Sequence, residues 1–119
     1  MSDTPEGRVK KAICDYLSLC HKDVMFWLNA SVGIWDPRTK RYLKNTSKYA
    51  LNGTSDILGL LWDGRFLAIE VKSFKGKLSD GQRDFLARVN RQGGLGFYAK
   101  NVNDVRERLS GEKAKILRT

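Results

Sequence analysis

Histidine is almost missing from this chain, with His21 the single imidazole among 119 residues. Chemistry that needs two or more imidazoles, as bases and as metal ligands, is thereby excluded. His21 follows Cys20 at the end of a helical segment, where a cation complements the helix dipole, and a structural role is expected there. Cysteine is scarce too. Cys14 and Cys20 lie six apart in that segment and point in different directions, so no disulfide is expected. Neither has a second thiol or histidine at zinc-finger spacing, a usage that suits a reducing, cytoplasmic compartment. No apolar run is long enough to span a membrane, and no signal peptide is apparent. A glycine-rich loop ending in Lys-Ser or Lys-Thr is also lacking, which removes nucleotide-driven chemistry and a nucleotide cofactor.

Acids are outnumbered: 13 Asp and Glu face 22 Lys and Arg, a net charge of +9. Such a balance favours a polyanionic partner, nucleic acid above all, over an acidic small molecule. Residues 37–55 concentrate the effect, holding Arg38, Lys40, Arg41, Lys44 and Lys48 with Tyr42 and Tyr49 interleaved and no acid. A loop of this kind can neutralise phosphates and offer rings to unstacked bases, or it can be a solvated basic loop. The chain is long enough for one core and too short for two, so residues 1–119 are expected to form one domain.

Thr4-Pro5-Glu6 has the composition of a helix start, with Thr4 as N-cap and Pro5 where its missing N–H is harmless. The stripe Val9, Ala12, Ile13, Tyr16, Leu17, Cys20 then defines one buried face. Residues 24–28 read as a first strand, and residues 31–35 with 41–44 as a small hairpin about Asp36-Pro37-Arg38-Thr39. Asn52-Gly53 marks a turn, followed by a strand over residues 55–61 and another over 65–72. Ser79 and Gln82 have capping-box spacing at the head of a second helix, Gly93-Gly94 ends it, and Leu95–Ala99 reads as a strand. A short helix over Val102–Leu109 and a loose polar tail over residues 110–119 complete the expectation.

Chemistry concentrates on Asp56 and Glu70-Val71-Lys72. Glu70 and Lys72 lie two apart and share one face of a strand. Asp56 joins that face only if the connection is the three-residue loop Trp62-Asp63-Gly64, with Gly64 in the left-handed conformation. Leu61 then pairs with Arg65, and Asp56 lies across from Glu70. Two carboxylates and an ammonium held by paired strands can bind a divalent cation and activate water, which suggests phosphodiester hydrolysis. Glu6 either interacts with its helix dipole or supplies a third carboxylate. Gln82 either completes a capping box or reaches the water and phosphate.

The order of these parts resembles the PD-(D/E)XK nuclease superfamily and, within it, the virus-type replication-repair nuclease (VRR-NUC) domains. The stretch from Asn52 to Gly59, the triplet Glu70-Val71-Lys72 and the segment Leu78 to Gln82 carry the likeness; Ser55 stands where many superfamily members have proline. The resemblance implies an α/β, restriction-endonuclease-like fold, a central mixed β-sheet flanked by helices. It implies Mg²⁺, with Mn²⁺ able to substitute, held by Asp56, Glu70 and the Val71 backbone carbonyl. Lys72 would orient the attacking water or steady the phosphorus, Gln82 would position water or a phosphate oxygen, and Glu6 would hold a second ion or its water. The stand-alone viral and bacterial members are small homodimers. That implies a structure-selective DNA endonuclease acting on four-way (Holliday) junctions in DNA repair or recombination, in a bacterial or phage-infected cell. Arg38, Lys40, Arg41, Lys44, Lys48, Lys75 and Lys77 would then contact DNA. A flap-directed, end-directed or nicking nuclease and a non-catalytic DNA-binding module are the alternatives.

Overall fold

Thr4 and Pro5 start the first helix as their chemistry requires. In the computed structural model, which describes residues 4–29, 34–43 and 48–117, helix α1 spans Pro5–Cys20, and the Thr4 hydroxyl accepts the Gly7 N–H at 3.0 Å. Ile13 and Leu17 are fully buried and Val9 and Tyr16 pack beside them, while Ala12 and Cys20 of the same stripe stay exposed. His21 caps the helix through its backbone, donating to the Leu17 carbonyl at 3.0 Å. Its ring departs from expectation. Burial, then the nearby Lys113 charge, push its pKa below the ordinary value, which disfavours the cation, and its Nε2 pairs with the Tyr16 hydroxyl at 2.8 Å. Desolvation here outweighs the attraction of a cation to the helix end.

Strand β1 (Met25–Leu28) is followed by the hairpin β2 (Ile34–Asp36) and β3 (Arg41–Leu43), a separate two-stranded sheet. Asp36 closes that turn by accepting from Arg38 N and Thr39 Oγ1, both at 3.0 Å. Then come β4 (Ile57–Leu60), β5 (Phe66–Val71), helix α2 (Asp80–Arg91), β6 (Leu95–Ala99) and helix α3 (Val102–Leu117). The main sheet has the order β1-β4-β5-β6. Its first two pairings are antiparallel, whereas β5 and β6 are parallel and need the crossover that α2 provides. One face buries Ile57, Leu67, Ile69, Val71 and Phe97 against Ile13 and Leu17 of α1 and Val105 and Leu109 of α3. The other face packs Ala68 against Leu86 and Val89 of α2. Each fully buried Ile or Leu contributes roughly 1.5–3 kcal/mol, so β5 is the best-anchored strand of the fold. This is the α/β arrangement that the sequence implies, a mixed sheet flanked by helices.

The β4–β5 hairpin takes the three-residue loop. Gly64 is left-handed (φ 88°), its N–H donates to Leu61 O at 2.9 Å, and Leu61 N donates to Arg65 O at 2.8 Å. Leu60 pairs with Phe66 and Ile57 with Ile69, which sets Asp56 opposite Glu70.

The chain's end corrects the sequence reading. Helix α3 continues through residues 110–117, where composition suggested a loose tail. Arg65 Nη1 meets Glu112 Oε2 at 3.0 Å, Lys113 Nζ lies 4.8 Å from the centre of the Trp62 ring, and it reaches Asp23 at 3.4 Å. The polar residues of the last turns therefore dock onto the hairpin loop, a pairing between residues 47 apart in sequence that local patterning does not reveal.

Candidate active site

Period-two alternation places Glu70 on the same face of β5 as Ala68, toward α2, while Ile69 and Val71 enter the opposite core. Glu70 is 3 % exposed. Asp56 lies just before β4, where its carbonyl accepts the Asn29 N–H at 2.8 Å. Its carboxylate crosses to β5 and accepts the Val71 N–H at 2.9 Å. Lys72 Nζ stands 3.9 Å from Glu70 Oε1, and its side chain is 13 % exposed. The hairpin register thus brings Asp56, Glu70 and Lys72 together at the C-terminal end of β5.

Gln82 completes the capping box and, with the same side chain, reaches Glu70. Its backbone N–H donates to Ser79 Oγ at 3.1 Å, and its Oε1 accepts the Ser79 N–H at 2.9 Å, which forms the capping box of α2. Its Nε2 donates to Glu70 Oε1 at 3.0 Å. The cap fixes the rotamer, and the fixed rotamer presents the amide to the carboxylate. Helix α2 is held there by the Asn52-Gly53 turn: Gly53 is left-handed (φ 78°), and a Cβ on it would run into the Gly81 carbonyl and lie 2.5 Å from Gln82 N. Gly53→Ala should therefore lower stability by at least about 2 kcal/mol, combining left-handed strain with overpacking. At Gly64 (φ 88°) a Cβ would meet nothing within 4 Å. Gly64→Ala carries strain alone, roughly 1 kcal/mol or more. Urea unfolding of the two variants measures the difference, and equal losses would count against the turn–helix contact.

The electrostatics of the pair are costly. Burial first, then the Asp56 charge and a hydrogen bond with Asp56, and more weakly the Glu6 charge, raise the Glu70 pKa to about 8, with Lys72 opposing. With Glu70 ionised, its buried Oε2 has no hydrogen-bond partner. Two crowded carboxyl groups, one with an unpartnered oxygen, fit a hard cation that takes oxygen ligands. Asp56, Glu70 and the carbonyl of Val71, the last residue of β5, are the groups that could hold it. Among the described residues no group of three or more His, Cys, Asp or Glu side chains is placed to hold a metal ion. Glu6 therefore does not complete a three-carboxylate set: it is exposed in the first turn of α1, whose anchoring residues Ile13 and Leu17 lie further along, and only its field reaches Glu70.

The basic residues divide into two groups. Lys75 and Lys77 are exposed on the loop that leaves β5 directly after Lys72. Arg38, Lys40 and Arg41 are exposed on the β2–β3 hairpin, and Lys48 lies 5.1 Å from the centre of the Tyr49 ring. Lys44 lies outside the described residues. Sequence reading missed Lys100, which follows β6 and donates from Nζ to the Phe74 carbonyl at 2.9 Å. The signal was the β5–α2–β6 pattern, which puts the ends of two parallel strands side by side.

The family model of the VRR-NUC domain matches residues 12–103. That range contains Asp56, Glu70, Lys72 and Gln82 and leaves out Glu6. The mixed four-stranded sheet with its three helices is consistent with the restriction-endonuclease-like fold of that family. No curated protein and no solved structure matches the chain.

Proposed function

Because the chain belongs to the VRR-NUC family, a family of nucleases, we propose that it is a metal-dependent, structure-selective DNA endonuclease of the PD-(D/E)XK type that cuts four-way junctions as a homodimer. The observation that most supports this reading is Glu70: a buried carboxyl group facing Asp56, with an unpartnered oxygen and a pKa raised to about 8. Such a pair is unfavourable in itself and becomes favourable with a divalent cation between its oxygens. Mg²⁺ or Mn²⁺, held by Asp56, Glu70 and the Val71 carbonyl, would polarise the scissile phosphate and lower the pKa of a bound water.

The remaining work falls to this chain's own groups. Lys72, nearly buried beside Glu70, places a positive charge where the phosphorus gains negative charge. One Gln82 amide hydrogen holds Glu70 Oε1, and the second can orient a water or a phosphate oxygen. Lys75 and Lys77 continue the positive potential outward along the path that the backbone would take. The apolar side chains exposed on edge strand β1, Met25, Trp27 and Leu28, support pairing of two copies.

Contacts to phosphates make binding fall with salt, with a slope of about 0.9 per neutralised phosphate. Lys75→Ala combined with Lys77→Ala should reduce the slope of log affinity against log salt by about 2, as measured by fluorescence anisotropy on a junction. Substrate is tested by comparing products from a synthetic four-way junction, a flap and a plain duplex with Mg²⁺. Symmetric paired cuts in the junction are expected. Isolated nicks or flap removal would assign the site to the alternative nuclease reading, and inactivity on all three with Mg²⁺ and Mn²⁺ would leave a DNA-binding module.

A further inference from the structure

Phe74 stands exposed on the loop that leaves β5 after Lys72. Its side chain is 84 % exposed, so it gives nothing to either core. It lies two residues beyond Lys72, at most about 7 Å along the chain from the candidate catalytic group. The loop that carries it is nonetheless held. Gly76 N donates to Ser73 O at 3.0 Å, Lys72 N to Ala99 O at 3.0 Å, and Lys100 Nζ to the Phe74 carbonyl at 2.9 Å. The same ammonium stands 5.8 Å from the centre of the Phe74 ring.

The surroundings select the ligand. Lys72, Lys75, Lys77 and Lys100 encircle the loop in sequence or by contact, and residues 73–79 contain no acid. An apolar protein partner would need further apolar surface beside the ring, whereas Leu78, the other large apolar residue of this segment, is turned inward against the core beneath α2. A ring amid ammonium groups suits a ligand with both π-faces and phosphates, and a nucleotide strand has both. In a continuous duplex the base faces are stacked and hidden. At a branch point they are accessible.

We propose that Phe74 stacks on a base released from pairing next to the scissile phosphate, so that preference for branched over continuous DNA originates in the loop that carries Lys72. This deepens the nuclease reading and rests on it for the position of the phosphate. Phe74 is a specificity-determining residue in this account and takes no part in the bond-breaking step.

Binding in EDTA tests the inference without any need for cleavage. Four-way junction and plain duplex of equal length, the junction with 2-aminopurine at the branch point, are titrated with the wild-type chain and with Phe74→Ala, Phe74→Trp and Lys75→Ala. Phe74→Ala should weaken junction binding by about 5- to 150-fold, the range for loss of one base–aromatic stack, and leave duplex binding within about twofold. The change in 2-aminopurine fluorescence on binding should disappear with it. Phe74→Trp should restore both, and Lys75→Ala should weaken both DNAs alike. Wild-type junction preference in Phe74→Ala, equal loss on both DNAs, or no junction preference in the wild-type chain would each overturn the inference. Because cleavage is not read, a chain that binds in this way and never cuts would contradict the nuclease proposal alone.

Discussion

Asp56→Asn should bind a four-way junction with wild-type affinity and cut it at least about 10³-fold more slowly, the scale of loss when a group acting on the transition state is removed. The substitution is nearly isosteric. An Asn Oδ1 can still accept the Val71 N–H that Asp56 receives at 2.9 Å, so the β4–β5 register survives. What disappears is one of the two negative charges that would hold a cation. Lys72→Ala should likewise remove cleavage, whereas Lys75→Ala, one exposed cation on the following loop, should act on binding. Single-turnover cleavage with saturating protein separates the two effects. A catalytic rate for Asp56→Asn within tenfold of wild type would count against the site.

Glu70→Gln should have opposite effects on activity and on stability. The Glu70 pKa is raised in the folded protein, from 4.5 to about 8. Below the lower value both folded and unfolded chains hold the proton, and the group exacts no penalty. Between about pH 4.5 and 8 the unfolded chain has released the proton while the folded one retains it, so stability falls as pH rises. Above about 8 both are ionised and the loss is complete. Glutamine keeps an acceptor for Gln82 Nε2, places an N–H toward Asp56 and never ionises. In EDTA the variant should therefore gain on wild type across that window and exceed it near pH 8.5 by several kcal/mol, at 1.36 kcal/mol per pKa unit. Urea unfolding at several pH values measures the gap. Added Mg²⁺ should raise the stability of wild type and leave the variant unchanged, because only the ionised pair gains from a cation. A gap that stays constant with pH would contradict the assignment of the raised pKa to Glu70.

Such a site, costly when empty of charge compensation, is legible in sequence only where local chemistry dictates geometry. Asp63-Gly64 announces a turn, but a two-residue turn would have sent Asp56 to the wrong face; Trp62 joining the loop decides the matter. The Ser79-Gln82 box was equally readable, although whether Gln82 capped or acted on the site was not. One rotamer makes both the cap and the hydrogen bond to Glu70, because the helix starts beside that residue. What stayed hidden depends on contacts far apart in sequence. The last turns of α3 are secured by Glu112 meeting Arg65, and Lys100 reaches Phe74 only because β6 runs parallel to β5. At His21 the structural place at the helix end was readable, but the charge was not: burial, and then the Lys113 charge, lower its pKa and disfavour the cation that the helix end favours.

The most direct test of the central claim is the Mg²⁺ dependence of junction cleavage by the wild-type chain across pH 6 to 8.5. If Asp56 and Glu70 hold the cation, cutting is lost in EDTA and saturates with Mg²⁺. The half-saturating concentration should also fall about tenfold per pH unit below 8 and level off above it, as the proton on Glu70 yields to the metal. Cutting that persists in EDTA, or a half-saturating Mg²⁺ concentration that does not move with pH, would contradict the account.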